Sequence, residues 1–138
     1  MRFQILFFIF FVSIGIGFSQ TDNIEIPCSK YIKEPFISDG QQYKSMLNDE
    51  EIAEFHITFY GGSVYRLVGC LSEDGKEQPI HFTVYDTERN PLYSNKEHNF
   101  APYWDLKFDH TVECIVETQL IPEKNTSGFA VILIGFKK

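Results

Sequence analysis

Residues 53 to 59, Ala-Glu-Phe-His-Ile-Thr-Phe, alternate apolar and polar side chains without a break. Successive side chains of an extended chain point to opposite faces, so one face of this stretch is wholly apolar and the other is polar. The apolar face carries Ala53, Phe55, Ile57 and Phe59. This pattern predicts a β-strand with one face buried in a core and the other in contact with solvent.

The chain beyond this stretch repeats the pattern in short segments. They cover residues 64–71, 80–85, 92–93, 103–108 and 112–120. Residues 60–63, Tyr-Gly-Gly-Ser, predict a hairpin between the first two strands, because glycine adopts the positive φ angles of tight turns. The turn-forming residues 86–91 predict a second hairpin, which ends in a short return strand.

The last segment has a different pattern, with apolar side chains on both faces. Residues 128–136 read Gly-Phe-Ala-Val-Ile-Leu-Ile-Gly-Phe. A strand of this kind at a sheet edge would aggregate. We therefore predict a central strand with a neighbour on each edge and cover on at least part of each face.

Together these segments predict an all-β fold. Seven or eight short strands, with no helical pattern beyond one turn at residues 48–52, are typical of an antiparallel β-sandwich. Among sandwich topologies we prefer a jelly-roll-like arrangement of about eight strands. We expect it to occupy residues 41–138, after an irregular lead-in over residues 20–40, and leave open whether the far end of that lead-in joins the fold.

The first 19 residues have the composition of a secretory signal peptide. Met1-Arg2 give a positive start, and Ile5 to Ile16 form an apolar run that is shorter than the roughly 20 residues of a membrane-spanning helix. Small residues at Gly17 and Ser19 predict cleavage after residue 19 or 20. We therefore expect a secreted or periplasmic protein without a membrane anchor.

The predicted mature chain is acidic. Removal of residues 1–19 takes away only Arg2 among the charged residues, so 11 basic and 19 acidic side chains remain and the net charge is −8. Nucleic acid and anionic membrane surfaces are poor partners for such a chain. The charge itself favours solubility.

Three cysteines remain after the leader, so at most one intramolecular disulfide forms in an oxidising compartment. Cys70 and Cys114 both lie in predicted strands and are therefore the predicted pair, with Cys28 as the free thiol. The alternative left open is that all three cysteines are reduced and that two of them are small buried side chains.

Four motifs within residues 40–138 occur in the order of a known family. They are EIAEFHITF at 51–59, YGGSVYRL at 60–67, IHFTVYDTERNPLYSN at 80–95 and SGFAVILIGF at 127–136. The chain in this respect resembles the pre-peptidase C-terminal domains of bacterial secreted enzymes. The resemblance implies a jelly-roll-like sandwich that serves as a binding, targeting or folding accessory.

The resemblance also raises the question of calcium, which some members of that family bind. This chain has Asp49, Glu50, Glu51 and Glu54 where the family often has aspartates before its first aromatic strand. The sequence does not support a calcium site here, so we predict no cofactor and leave calcium binding by these acidic residues open.

Residues suited to catalysis are few and scattered. The sequence contains no Gly-x-Ser-x-Gly elbow, no His-Glu-x-x-His motif, no phosphate-binding glycine loop and no EF-hand spacing. His56 and His81 are expected on solvent faces of strands, and two histidines do not make a zinc site. Asp105 and Asp109, at a strand end, come nearest to an acid pair. We predict no catalytic residues, no metal site and no enzymatic activity.

The aromatic residues around the loop at 94–102 offer the best recognition surface. Aromatic rings on a sandwich surface stack on sugars or anchor protein partners. Alternation turns Trp104 toward the core and places Tyr85 and Tyr103 on outward positions. Together with Phe100 these two tyrosines are the predicted ligand-binding residues.

From these features we expect a non-catalytic accessory domain that recognises a protein or carbohydrate partner in the bacterial envelope or outside the cell. One alternative is a structural subunit of an envelope or secretion assembly, which the two apolar faces of residues 128–136 would suit. The other, less favoured, is a small jelly-roll hydrolase.

Overall fold

Nine strands make up most of residues 26–137, the part of the chain that this computed structural model describes. The strands are β1 (Ile37–Asn48), β2 (Ile52–Phe59), β3 (Val64–Glu73), β4 (Lys76–Gln78), β5 (His81–Asp86), β6 (Pro91–Ser94), β7 (Tyr103–Lys107), β8 (Val112–Gln119) and β9 (Ser127–Lys137). Short 3₁₀ helices lie at Pro27–Tyr31 and Asn95–His98. The predicted leader, residues 1–19, lies outside the described residues.

The strands form two antiparallel sheets that pack face to face. One sheet has the order β1-β9-β3. The edge of β3 that faces away from β9 pairs with β7 over one part of its length and with β4 over another. The other sheet has the order β2-β8-β5-β6. The predicted all-β antiparallel sandwich is therefore confirmed, with nine strands in place of about eight.

The main core lies between the two sheets. β2 has the alternation that its sequence predicts, with Ile57 and Phe59 buried and His56 and Thr58 exposed. Removing a large apolar side chain from water stabilises the folded state by about 1.5–3 kcal/mol. The largest fully buried apolar side chains of this core are Phe59, Phe82, Leu47, Leu67, Leu71, Ile80 and Ile132.

β9 is the central strand that its apolar sequence predicts. It pairs with β1 on one edge and with β3 on the other. Ile132 and Ile134 face the main core, whereas Val131 and Leu133 face outward into a second, smaller apolar cluster. Residues 26–36, which we call the N-terminal arm, cover that cluster and bury Cys28 completely.

β1 begins at Ile37, inside the segment that the sequence indicated to be irregular. Its side chains are exposed at most positions, and only Leu47 is buried. Backbone pairing with β9, which starts at Ile37 and resumes from Gln42 to Asn48 after a break in register, keeps this polar stretch extended.

Residues 60–63 do not form the predicted hairpin. β2 and β3 belong to different sheets, so this turn carries the chain from one sheet to the other. The prediction was wrong because Gly61 was interpreted as a hairpin residue, whereas it allows close packing against another loop. A Cβ there would lie 2.8 Å from the Asp109 carbonyl oxygen and 2.9 Å from the His110 backbone. Close approach of two backbones requires the glycine.

Two other turns are hairpins. β5 and β6 form the second hairpin that the sequence predicts. β3 and β4 form another through Asp74-Gly75, whose φ angles of 50° and 74° are those of a type I′ turn.

The disulfide joins Cys28 to Cys70, and Cys114 is a buried free thiol. The predicted Cys70–Cys114 pair was wrong because the two side chains point in different directions. Cys70 faces outward from β3 into the small cluster, whereas Cys114 faces the main core from β8. A disulfide is typical of proteins from oxidising, extracytoplasmic compartments. No helix within residues 26–137 has the length and apolar character needed to cross a membrane.

Candidate functional site

The three aromatic residues predicted to form a patch lie apart. Tyr85 is on the outer face of the sheet that contains β5, because its neighbours Phe82 and Val84 face the core. Tyr103 is on the outer face of the opposite sheet, since Trp104 packs against the main core. The two tyrosines therefore face away from each other across the sandwich, and a single patch cannot include both.

Tyr103 is part of a cluster that fastens the N-terminal arm. The Arg66 guanidinium lies 4.3 Å from the Tyr103 ring and 4.3 Å from the Phe36 ring. It donates to both carboxylate oxygens of Asp105, at 2.7 and 2.8 Å, and to the Tyr31 carbonyl oxygen at 3.1 Å. The ion pair with Asp105 raises the pKa of Arg66. These contacts give Tyr103 and Asp105 a structural role.

Tyr85 and Phe100 also contact cations, but separate ones. The Arg89 guanidinium lies 5.7 Å from the centre of the Tyr85 ring, and the Lys124 ammonium lies 5.8 Å from that of Phe100. Phe100 also packs edge-on against the His81 ring at 5.9 Å.

The histidines do not form a pair. His56 on β2 and His81 on β5 are separated by β8, which pairs with both strands. The Gln119 amide nitrogen lies 2.6 Å from His81 Nδ1, and Ser94 Oγ lies 3.1 Å from Nε2. Burial and the nearby Lys96 lower the pKa of His81. Within the described chain no three His, Cys, Asp or Glu side chains are grouped to hold a metal.

A cavity of about 540 Å³ lies along one side of the sandwich. β1 is the outermost strand of one sheet and β2 of the other, and the cavity opens between them. We call it the overhang cleft because β1, with 12 residues, is longer than β2, with 8. It is lined by Asp39, Gln41, Tyr43, His56, Ile57, Thr58, Tyr60, Ser63, Tyr65, Ile134 and Phe136.

A β-bulge in β1 places the polar residues of one wall. Register with β9 breaks between Ser38 and Gln42, and Gly40 there has a φ of 79°. The backbone N–H of Gln41 donates to Asp39 Oδ1 at 2.9 Å, which fixes the shape of the bulge. The Tyr43 hydroxyl donates to Gln41 Oε1 at 2.7 Å. Burial and the Asp39 charge raise the pKa of Tyr43, so this phenol stays protonated at neutral pH.

The other wall is the free edge of β2. His56, Ile57 and Thr58 are consecutive and point to alternate faces, so a cavity that touches all three lies against the strand edge. β2 pairs only with β8 among the described strands, which leaves backbone groups on that edge open to a ligand. Tyr60, 63% exposed, stands at the end of this wall.

The floor of the cleft is formed by buried side chains of the core. Ile134 and Tyr65 are buried and belong to the main core. The Tyr65 hydroxyl accepts a hydrogen bond from the Tyr60 N–H at 3.0 Å, which ties the floor to the rim. The arrangement is an amphipathic slot, suited to holding a ligand by ring contact and hydrogen bonds.

A second cavity, of about 550 Å³, lies near the β1–β2 turn. It is lined by Asp49, Glu50, Gln119, Leu120, Pro122 and Asn125. The Asn125 side chain is buried, and neither its amide nitrogen nor its oxygen has a hydrogen-bond partner. This cavity contains no aromatic ring.

The sequence did not reveal the overhang cleft, because its walls come from distant segments. One signal was present: Ser38-Asp39-Gly40 is a run of turn-forming residues next to extended chain, which is typical of a bulge.

Comparison with known proteins assigns no family to this chain: no protein-family model matches it, and no curated protein is significantly similar.

Proposed function

We propose that this protein is an exported, non-catalytic β-sandwich domain that binds a protein or glycan partner in the bacterial envelope or outside the cell, and that the partner binds in the overhang cleft. The observation that carries the proposal is the cleft itself, an open cavity of about 540 Å³ whose walls combine aromatic rings with hydrogen-bonding side chains. Its volume lies in the range of ordinary ligand sites.

Export and family relationship are parts of the same proposal. The leader-like sequence of residues 1–19 and the Cys28–Cys70 disulfide support export. With the short β4 set aside, the orders β1-β9-β3-β7 and β2-β8-β5-β6 alternate in the manner of a jelly roll. This alternation supports a relationship to pre-peptidase C-terminal domains and their accessory role.

The structural subunit is kept as the alternative to this proposal. It was favoured by the two apolar faces of β9, which another chain would have had to cover. The N-terminal arm of the same chain covers the outer face at Val131 and Leu133.

The test is co-sedimentation of the purified protein with insoluble envelope material, measured as loss of protein from the supernatant. We expect saturable binding that Tyr60→Ala weakens. Leu92→Ala, which removes an exposed apolar side chain on β6, serves as the control and should bind normally. Tyr103→Ala changes a binding residue predicted from the sequence that does not line the cleft, so this variant should also bind normally.

Two results would contradict the proposal. One is release of sugar or peptide fragments from the bound material, which would indicate an enzyme. The other is binding that persists unchanged in Tyr60→Ala, which would place the partner elsewhere.

A further inference from the structure

We infer that the overhang cleft binds a neutral glycan, with a sugar ring against Tyr60 and sugar hydroxyls bonded to Asp39, Gln41 and His56, an inference that rests on the proposed binding function. It names the chemical class of the ligand, which the cleft geometry alone leaves open between glycan and protein.

The cleft and a sugar ring have the same division of polarity. A pyranose has apolar C–H faces and a rim of hydroxyls, and aromatic rings pack against such faces. Tyr60 offers a ring that is 63% exposed at the mouth, whereas Tyr65 is only 8% exposed and supplies the floor. The exposed ring is therefore the one available for stacking.

The hydrogen-bonding groups on the rim match hydroxyls. Each sugar hydroxyl both donates and accepts, so it is satisfied best by a mixed set of groups. Asp39 accepts, Gln41 donates and accepts, and His56 does both in its neutral form. All three are exposed and lie on the two sides of the slot.

The charge of the cleft selects against acidic glycans. Asp39 is a carboxylate, and no lysine or arginine is among the residues that line this cavity. The mature chain adds a net charge of −8. A uronic acid or sulfated sugar would meet like charge without a compensating cation, which lowers both its affinity and its rate of association.

An extended peptide fits these walls less well. Peptides that add a strand require a regular edge and apolar pockets for alternate side chains. The β1 edge is broken by the bulge at residues 38–42. The free edge of β2 is regular, but its outward side chains there, His56 and Thr58, are polar and exposed and form no apolar pocket for a peptide side chain. Peptide binding is accordingly an outcome of the test that would overturn the inference.

The test is a titration of the ¹⁵N-labelled exported protein without its leader, followed by backbone amide chemical shifts. The neutral probes are β-1,4-linked hexamers of glucose, xylose, mannose and N-acetylglucosamine. Oligogalacturonate is the acidic probe, and an extended peptide with alternating apolar residues is the peptide probe. We expect saturable shifts from at least one neutral probe, confined to residues 39–43 and 56–65, and none from the other two classes.

Variants separate stacking from structure. Tyr60→Ala should weaken binding roughly tenfold, the loss of one aromatic contact, whereas Tyr60→Phe should retain it. Asp39→Asn should weaken the neutral probe, and Leu92→Ala should leave it unchanged. The spectrum of each variant reports whether it is folded.

Three outcomes would overturn the inference: no shift with any neutral probe, stronger binding of oligogalacturonate or peptide, or shifts centred outside the cleft. If the protein still sediments with envelope material in a Tyr60-dependent way, the proposed binding function stands and only the glycan assignment fails.

Discussion

Asn95 holds the loop between β6 and β7 against β5 through one buried amide. The Phe82 N–H donates to its Oδ1 at 2.9 Å, and its Nδ2 donates to the carbonyl oxygens of Ile80 at 2.8 Å and Ala101 at 3.2 Å. The residue is fully buried. Asn95→Ala would leave these buried backbone groups without hydrogen-bond partners, so we expect a loss of about 1–3 kcal/mol in the free energy of unfolding, measured with urea. Lys96→Ala, an exposed neighbour, is the control, and an equal loss in both variants would contradict the prediction.

The Cys114 thiol is protected from chemistry by its position in the core. Burial, with a contribution from the Asp86 charge, raises its pKa to about 11. The thiolate is the reactive form, so the thiol should resist iodoacetamide at pH 8 in the folded protein and react once the protein is unfolded in denaturant. Mass spectrometry of the alkylated protein measures this, and rapid labelling of the native state would show that the residue is accessible.

His81 makes stability depend on pH. Its pKa is lowered in the folded state by burial and by Lys96, so below about pH 6.5 the unfolded chain takes up a proton before the folded chain does. The free energy of unfolding should therefore fall as the pH drops from 7 to 5. His81→Asn should reduce that slope, while His110→Asn, in an exposed loop, should not. Urea unfolding at several pH values gives both slopes, and equal slopes in the two variants would refute this assignment.

The N-terminal arm is what allows a strand as apolar as β9 to stand in a two-layer sandwich. The arm covers Val131 and Leu133, and the disulfide from Cys28 to Cys70 holds it on β3. Arg66 adds a polar fastening between Phe36 and Tyr103. A segment with no regular strand pattern in the sequence thus completes the outer face of the sheet.

Loss of the disulfide should therefore destabilise the sandwich. The bond closes a loop with a sequence separation of 42 residues, for which chain entropy alone predicts a contribution of about 4 kcal/mol. We expect the double variant Cys28→Ser, Cys70→Ser to lose about that much in urea unfolding, and amide exchange to quicken in β9. Lys30 lies in the same arm and forms an ion pair with Glu77 of β4, so Lys30→Ala removes a surface ion pair and should leave stability unchanged. Unaltered stability in the double variant would mean that apolar packing alone holds the arm.

Local patterns predicted the strands that bury one or both faces. β2 and β9 were evident because burial imposes a regular choice of side chains at every position. β1 was missed because its side chains are mostly exposed and its extended form depends on pairing with β9. The alternation of side chains along β3 was a signal against the predicted disulfide. Leu67 and Leu71 face the main core, so Cys70, at an intervening position of opposite phase, faces outward.

The candidate site could not be predicted in the same way. Tyr85, Phe100 and Tyr103 were predicted to form one patch because they are close in the sequence. The chain crosses from one sheet to the other between β6 and β7, which places the two tyrosines on opposite outer faces. The overhang cleft joins residues near 40, 60 and 135. Such a site depends on which strands end up at the sheet edges, which no local pattern specifies.

The distribution of covered and open surface follows from how the two sheets are matched. The side where β6 meets β7 is closed by the stacked rings of Tyr93 and Trp104, 4.2 Å apart. At the opposite side the cleft lies between β2 and the part of β1 that contains the bulge. One side of the sandwich is thereby closed by packed side chains, and the other is open at the cleft.

Export and oxidation should be coupled in this protein. If the chain is expressed from Met1 in a bacterium with an oxidising periplasm, we expect intact mass spectrometry to find a chain that begins at Gln20 or Thr21. After denaturation without reductant, alkylation should then modify only Cys114, because Cys28 and Cys70 are joined. The same chain started at residue 20 and kept in a reducing cytoplasm should expose three thiols and unfold at lower urea. An exported chain that retains residues 1–19, or that shows three alkylatable thiols, would contradict the coupling.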